Sequence, residues 1–253
     1  MGYKKTVLPF ITLFFILLLW ELVTRFSGWS RNVFPGSIAV LTSMGELIAN
    51  GTLLKNTVAS LFRVSIGFSL AVVLGVPLGI ILGRVEIAKL LFNPLIQFLR
   101  PISPLAWIPL AMLWFGIGDP PAIFLIFLAS FFPMVVSTSV AVESIKPTYF
   151  QVAANFNFTR IEVLTKIVIP AIIPQVITAL RMTIAIAWLV VVAAEMIAVQ
   201  SGLGYLILDA RNALRMDYVM VAMIVIGIIG LLLDFIMRLL GNIESTAWGR
   251  LTK

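Results

Sequence analysis

The sequence predicts an all-α integral membrane protein, on three observations. Of its 253 residues, 61% are hydrophobic and only 11% are charged. A soluble domain carries about 25% charged residues, so this chain lacks the charge to cover a water-facing surface. Its apolar residues fall in runs long enough for a helix to cross hydrocarbon, which takes ~20 residues. Its Lys and Arg are shared unevenly between the segments joining those runs.

Six runs qualify: residues 7–24, 61–83, 90–116, 121–142, 169–198 and 218–241. They predict about six transmembrane helices in a single membrane domain spanning residues 1–253. The first run follows Lys4 and Lys5, as the core of a signal peptide would. It is long, however, and Thr24 to Trp29 offers no small-x-small cleavage site, so it reads as a retained span. The third and fifth are long enough to tilt or to protrude from the bilayer.

Loop charge sets the orientation. With the N-terminus in the cytoplasm, the inside segments hold Lys4, Lys5, Arg84, Lys89, Lys146, Arg160, Lys166, Arg238, Arg250 and Lys253. The outside segments hold only Arg25, Arg31, Lys55, Arg211 and Arg215. The opposite topology would invert that ratio, so both termini are expected in the cytoplasm. The turn Gly116 to Pro121 has no Lys or Arg, as an outside hairpin should.

Residues 25–60 form an external segment. Within it, residues 39–48 have helical apolar spacing after Pro35-Gly36-Ser37, which predicts a helix lying along the membrane surface. Residues 143–168 form the longest inside loop.

Composition excludes several chemistries. The chain has no His and no Cys, so thiol nucleophiles, disulfides, Cys/His metal sites and His-based triads are ruled out. No catalytic or metal-binding residues are expected. No Gly-rich loop ends in Gly-Lys-Ser/Thr, so nucleotide is expected elsewhere than on this chain. The net charge of +7 fits cytoplasmic loops against anionic lipid; no nucleic-acid partner is expected.

The inside loop has internal order. Pro147-Thr148 suits a first helical turn, and Tyr149 to Asn155 form a short helix. Asn157 can stop it, because Asn tolerates the left-handed cap. Thr159 then caps a second helix, with Glu162 three residues on completing a capping box. Four aromatics, Tyr149, Phe150, Phe156 and Phe158, are left around the turn.

Here the chain resembles a known family. Permeases of ATP-binding-cassette importers carry a cytoplasmic signature: Glu-Ala-Ala, three residues, Gly, nine residues, Ile, one residue, Leu-Pro. This sequence has Gln151-Val152-Ala153, Asn157, Ile167 and Ile169-Pro170 at those spacings. Gln151 replaces Glu and Asn157 replaces Gly. Arg100 to Leu110, Leu113 to Gly118, Leu180-Arg181, Ala187-Trp188, Ala193-Ala194-Glu195 and Ser201 to Tyr205 resemble the nitrate/sulfonate/taurine/bicarbonate subfamily. The likeness covers roughly residues 30–245.

The resemblance implies a type I importer permease fold in a bacterial inner membrane. It makes the short helix a coupling helix that docks on an ATPase subunit through Tyr149, Phe150, Gln151, Val152, Ala153, Phe156, Asn157 and Phe158. It implies two ATPase subunits holding ATP and Mg, a second permease copy forming a homodimer, and a substrate-binding protein. The chain itself would be a transport subunit and no enzyme, holding no cofactor. The expected cargo is a small anion.

Charges inside a bilayer are costly and usually functional. Arg100 and Arg181 each lie 11 residues beyond the inner edge of a span, about 16 Å deep at ~1.5 Å per residue. Two guanidiniums at one depth suit an anion path; the competing role is to bond carbonyls freed by proline or to pair with an acid. Ser103, Trp107, Thr178 and Trp188 are candidate lining residues. Glu195 is a candidate gate or binding-protein contact. A secondary transporter or an intramembrane enzyme would leave the loop spacing unexplained, and would have no ATPase partner.

Overall fold

The computed structural model describes residues 2–26, 28 and 33–244. Arg31, Arg250 and Lys253, and the side chains of Lys4 and Lys5, lie outside that description. Every regular element among the described residues is helical. In order they are α1 (Gly2–Phe26), α2 (Ser37–Ala49), α3 (Thr52–Arg84), α4 (Glu86–Leu99), a 3-10 turn (Pro104–Trp107) and α5 (Ile108–Phe115). Then come α6 (Asp119–Glu143), α7 (Pro147–Asn155), α8 (Arg160–Val163), a π turn (Leu164–Val168), α9 (Ile169–Ala198), α10 (Leu203–Asn212) and α11 (Met216–Glu244).

Four described stretches are long and apolar enough to cross a membrane: Thr52–Arg84, Asp119–Glu143, Arg160–Ala198 and Met216–Leu239. The α4–α5 pair makes a fifth if its bend is counted as one broken span.

The packing between α3 and α6 follows from small residues. Gly67, Ala71, Gly75, Gly79 and Gly83 recur every four residues and so share one face of α3. Gly67 lies against Ile126, Gly75 against Met134, Gly79 against Thr138 and Gly83 against Val142. The constant offset means that α3 and α6 run side by side in the same direction. In lipid no hydrophobic force drives helices together, so close backbone approach supplies the attraction.

α9 runs the other way. Its early residue Ile172 packs with Ala141 and Val142 at the end of α6, while Glu195 near its own end meets Arg63 of α3. α11 is antiparallel to α9: Trp188 Nε1 donates to the Ile226 carbonyl at 3.0 Å, and Arg181 pairs with Asp234. One end of the bundle thus gathers Arg84, Lys89, Lys146, Arg160 and Lys166. The other gathers Thr52, Asp119, Ala198 and Met216.

Four expectations need correction. α3 starts at Thr52, nine residues before the apolar run, and its 33 residues measure about 50 Å. The early turns carry Asn56, Ser60 and Arg63, which lower hydropathy but find polar partners across the bundle.

The second correction concerns the run 90–116, which is not one straight span. It bends by 87° between α4 and the 3-10 turn. Pro101 and Pro104 remove the amides that would bond the carbonyls of Gln97 and Arg100, and their rings clash with a continuing helix.

Third, the helix predicted over 39–48 is longer, Ser37–Ala49, and as α2 it docks on the bundle. Val40, Ser43 and Leu47 are buried, and Ser43 Oγ donates to Asp217 Oδ2 at 2.6 Å. Fourth, the outside segment between the last two predicted spans, which holds Arg211 and Arg215, contains an unpredicted helix, α10, which buries Leu203, Leu206 and Ala210.

Candidate functional site

The elbow between α6 and α9 is built as its residues dictate. α7 begins on Pro147, whose missing amide is harmless in a first turn. It ends where Asn157 adopts φ +53°. The Phe158 amide then bonds the Ala153 carbonyl at 2.9 Å and the Asn157 amide bonds Ala154 at 3.0 Å, the pairing of a Schellman turn. Thr159 and Glu162 form a complete capping box at the start of α8. Lys166 pairs with Glu162 at 2.8 Å.

The π turn that follows sits just before Pro170, which offers no amide to the Lys166 carbonyl. The Ile169 amide reaches back to Leu164 instead.

α7 has two unlike faces. Ala153 is buried, and Phe150 packs against the cluster of Ala141, Val142, Ile145, Val168 and Ile172. Tyr149, Val152 and Phe156 are exposed, Phe156 by 72%. They sit at i, i+3 and i+7, a single helical stripe. Gln151 and Asn157 are also exposed and Phe158 is half-buried, its ring 6.4 Å from that of Phe156. The structure therefore divides the predicted aromatic knob: Phe150 and Ala153 anchor the elbow to the bundle, and the others face outward.

The candidate path residues separate likewise. Arg100 is exposed at the corner ending α4. Ser103 is exposed just before the 3-10 turn. Arg181 is partly exposed and holds Asp234 through Nε at 2.6 Å and Nη2 at 3.4 Å. Asp234 also takes Arg238 at 2.9 Å, so two guanidiniums share one carboxylate and the trio keeps one positive charge. Thr178 Oγ1 bonds the Pro174 carbonyl within its own helix at 3.0 Å.

Two candidates pack inside the bundle instead. Trp188 is 4% exposed and ties α9 to α11 through its indole N–H; it packs rather than lines. Trp107 is half-buried against Ile108, Ala122 and Ala194.

Glu195 is completely buried, so no external protein reaches it in this conformation. It anchors a polar node that residue-by-residue reading missed. Glu195 accepts from Arg63 Nη1 at 2.6 Å, Ser60 Oγ at 2.8 Å and the Gly204 amide at 3.0 Å. Arg63, 1% exposed, donates further to Asp119 from Nε and to the Ser201 carbonyl and hydroxyl, and its Nη2 lies 2.7 Å from the same Asp119 oxygen as an ion pair. Each of the three guanidinium nitrogens is thereby hydrogen-bonded.

Asn56 Oδ1 accepts from the Gly202 amide at 2.7 Å. The Ser201-Gly202-Leu203-Gly204 segment must lie this close. A Cβ on Gly202 would overlap the Glu195 carboxyl, and one on Gly204 would overlap the Val192 carbonyl. Arg63 lies three residues inside a predicted span and Asp234 well inside another, so the cost of intramembrane charge was a usable signal for both. Their partners lie 132 and 53 positions away, beyond any local pattern. No group of three or more acidic residues able to hold a metal occurs among the described residues.

Comparison with known proteins places this geometry. Residues 75–243 match the family described as binding-protein-dependent transport system inner membrane component. An ABC transporter permease protein of Methanocaldococcus jannaschii is 37% identical over 99% of this chain and 95% of its own length. The nitrate import permease protein NrtB of Synechocystis is 35% identical over 95% of this chain and 89% of its own. The bicarbonate transport system permease protein CmpB of Synechococcus elongatus is 34% identical over 90% and 85%.

A chain of the MetNI methionine ABC transporter superposes with a TM-score of 0.67 at 14% identity, covering 76% of this chain and 96% of that one. It shares the fold. The chain belongs to the binding-protein-dependent transport system inner membrane components, the multi-span permease subunits of ABC importers.

Proposed function

We propose that this chain forms the translocation path of an ATP-driven importer for a small anion, delivered by a binding protein, with ATP hydrolysed on separate subunits docked at α7. The observation that carries the reading is the Tyr149–Val152–Phe156 stripe, exposed on a helix whose other face is anchored. Exposed apolar residues at the charged end of a membrane bundle want a partner, and aromatic anchors dominate interfaces. The basic end of the bundle then faces the cytosol, with both chain termini on that side. ATPase subunits of such importers act in pairs, so two copies of this chain assemble as a homodimer in the inner membrane.

Co-expression with an ATPase subunit tests the docking. The unsubstituted chain brings the ATPase down in detergent, and Phe156→Ala weakens that recovery by tenfold or more, the scale of an interface hot spot of about 2 kcal/mol. Equal recovery by Phe156→Ala and by Val152→Ala would remove α7 from the contact. A chain that recovers no ATPase under any condition would point to a secondary carrier.

The anion reading rests on charge: Arg100 has no acid partner among the described residues, and Arg181 with Arg238 outnumbers Asp234. Relatives named for nitrate and bicarbonate carriage support it. Arg181→Gln should abolish uptake of the transported anion by vesicles while leaving ATPase assembly intact. Undiminished uptake by that variant would take Arg181 out of the path.

A further inference from the structure

The anchored face of α7 meets a charge. Arg84, the last residue of α3, places its guanidinium carbon 4.1 Å above the centre of the Phe150 ring. No carboxylate pairs with Arg84 among the described residues; the ring face is its partner. A guanidinium over an aromatic face is held by the ring quadrupole and by stacking. The ring itself packs on the buried cluster of Ala141, Val142, Ile145, Val168 and Ile172.

This contact changes how α7 is attached. Through the backbone, α7 hangs from α6 by only Ser144, Ile145 and Lys146. Through Arg84 it is also fastened to α3. α3 and α6 in turn cannot slide past each other, because Gly79 and Gly83 sit against Thr138 and Val142 with no room for a side chain. The same pair is held at its far end by Arg63, Asp119 and Glu195. From Arg63 to Arg84 the strut is about 32 Å long, the thickness of the hydrocarbon core.

We infer that Arg84 is a positioning residue of the transport cycle: clamped on Phe150, it holds α7 in register with α3, so that motion imposed on the Tyr149–Phe156 face drives the α3–α6 strut. Without the clamp the same motion is absorbed in the three-residue link. The inference rests on the proposed docking of an ATPase at α7, and the two fail differently.

The chain has no cysteine, so a single water-facing reporter is available at the polar start of α3 by Lys55→Cys. In the complex with the ATPase, maleimide labelling of this site is compared with and without vanadate-trapped ADP. The unsubstituted clamp gives a nucleotide-dependent labelling rate. Arg84→Gln and Phe150→Leu each leave ATPase recovery and ATP hydrolysis in place but reduce the nucleotide dependence by about two- to fivefold, the scale of a cation–π contact at an exposed guanidinium. Phe150→Trp keeps it, and the double variant is no worse than either single one.

A purely structural role would lower recovery, hydrolysis and labelling response together, with losses that add. The inference is overturned if Arg84→Gln responds fully to nucleotide, if the singles add, or if α3 in the unsubstituted complex ignores nucleotide. Failure of the docking reading shows earlier, as no ATPase recovered with the unsubstituted chain.

Discussion

Glu195→Ala is expected to cost the folded chain about 3–5 kcal/mol, because it takes from buried Arg63 its one fully buried carboxylate and leaves only half-exposed Asp119 to balance the charge. Arg63 is 1% exposed and Glu195 is fully enclosed, so water cannot replace the lost carboxylate. Ser60 Oγ and the Gly204 amide lose an acceptor at the same time, and each unpaired buried donor adds desolvation cost. The measurement is the thermal midpoint and monodisperse fraction of the detergent-solubilised chain.

Glu195→Gln, which keeps the shape and one carbonyl acceptor, should lose less. Arg63→Met combined with Glu195→Leu should recover most of the stability of Glu195→Ala, since removing both charges removes the buried mismatch. Asp119 is half exposed and can be hydrated. A midpoint for Glu195→Ala within experimental error of the parent would show that the node carries no load.

Gly79→Leu should be nearly as damaging, for a steric reason. A Cβ at Gly79 would come within 2.6 Å of Thr138 Cβ and 2.7 Å of the Val135 carbonyl oxygen. The carbonyl is backbone and cannot rotate away, so α3 and α6 must separate. Gly79→Ala should cost about 1–3 kcal/mol as an overpacked core position, with the leucine variant costing more. Gly45 supplies the contrast. It lies in helix α2 with open space around its Cβ position, so Gly45→Ala should be neutral or stabilising by about 0.5–1 kcal/mol. If both alanine variants melt alike, the glycine stripe does not set the α3–α6 spacing.

Much of the elbow was legible in sequence because its rules are local. Pro147 at a helix start, Asn157 at positive φ and the Thr159–Glu162 box each depend on residues within four positions of one another. The same holds for the long helices, whose cores follow from uninterrupted apolar runs. The broken α4–α5 segment was half legible: Pro101 and Pro104 announce a break, but hydropathy averages across it and reads one span. α10 was missed although Leu203, Leu206 and Ala210 have helical spacing, because the surrounding charges suggested a loop.

The polar partners were not legible. Arg63 and Glu195 come from different helices and meet only once α3 and α9 pack antiparallel. The role of Glu195 as an external contact followed from its place near a span end, and burial by α10 and the Ser201–Gly204 segment reverses it. Likewise the aromatics of the elbow look equivalent in sequence, and only packing on the cluster of Val142, Ile145 and Ile172 separates Phe150 from Tyr149 and Phe156.

Sequence alone determined that this chain lives in lipid as a set of helices, that one basic end carries a capped two-helix elbow, and that it holds no His or Cys chemistry. These follow from composition and from hydrogen-bonding rules that act within a few residues. Tertiary structure alone decided which charges are paired, which face of the elbow is free and which helices are locked together. Burial and ion pairing depend on residues far apart in the chain, and in a low-dielectric interior the partner, not the residue type, determines what a charge does.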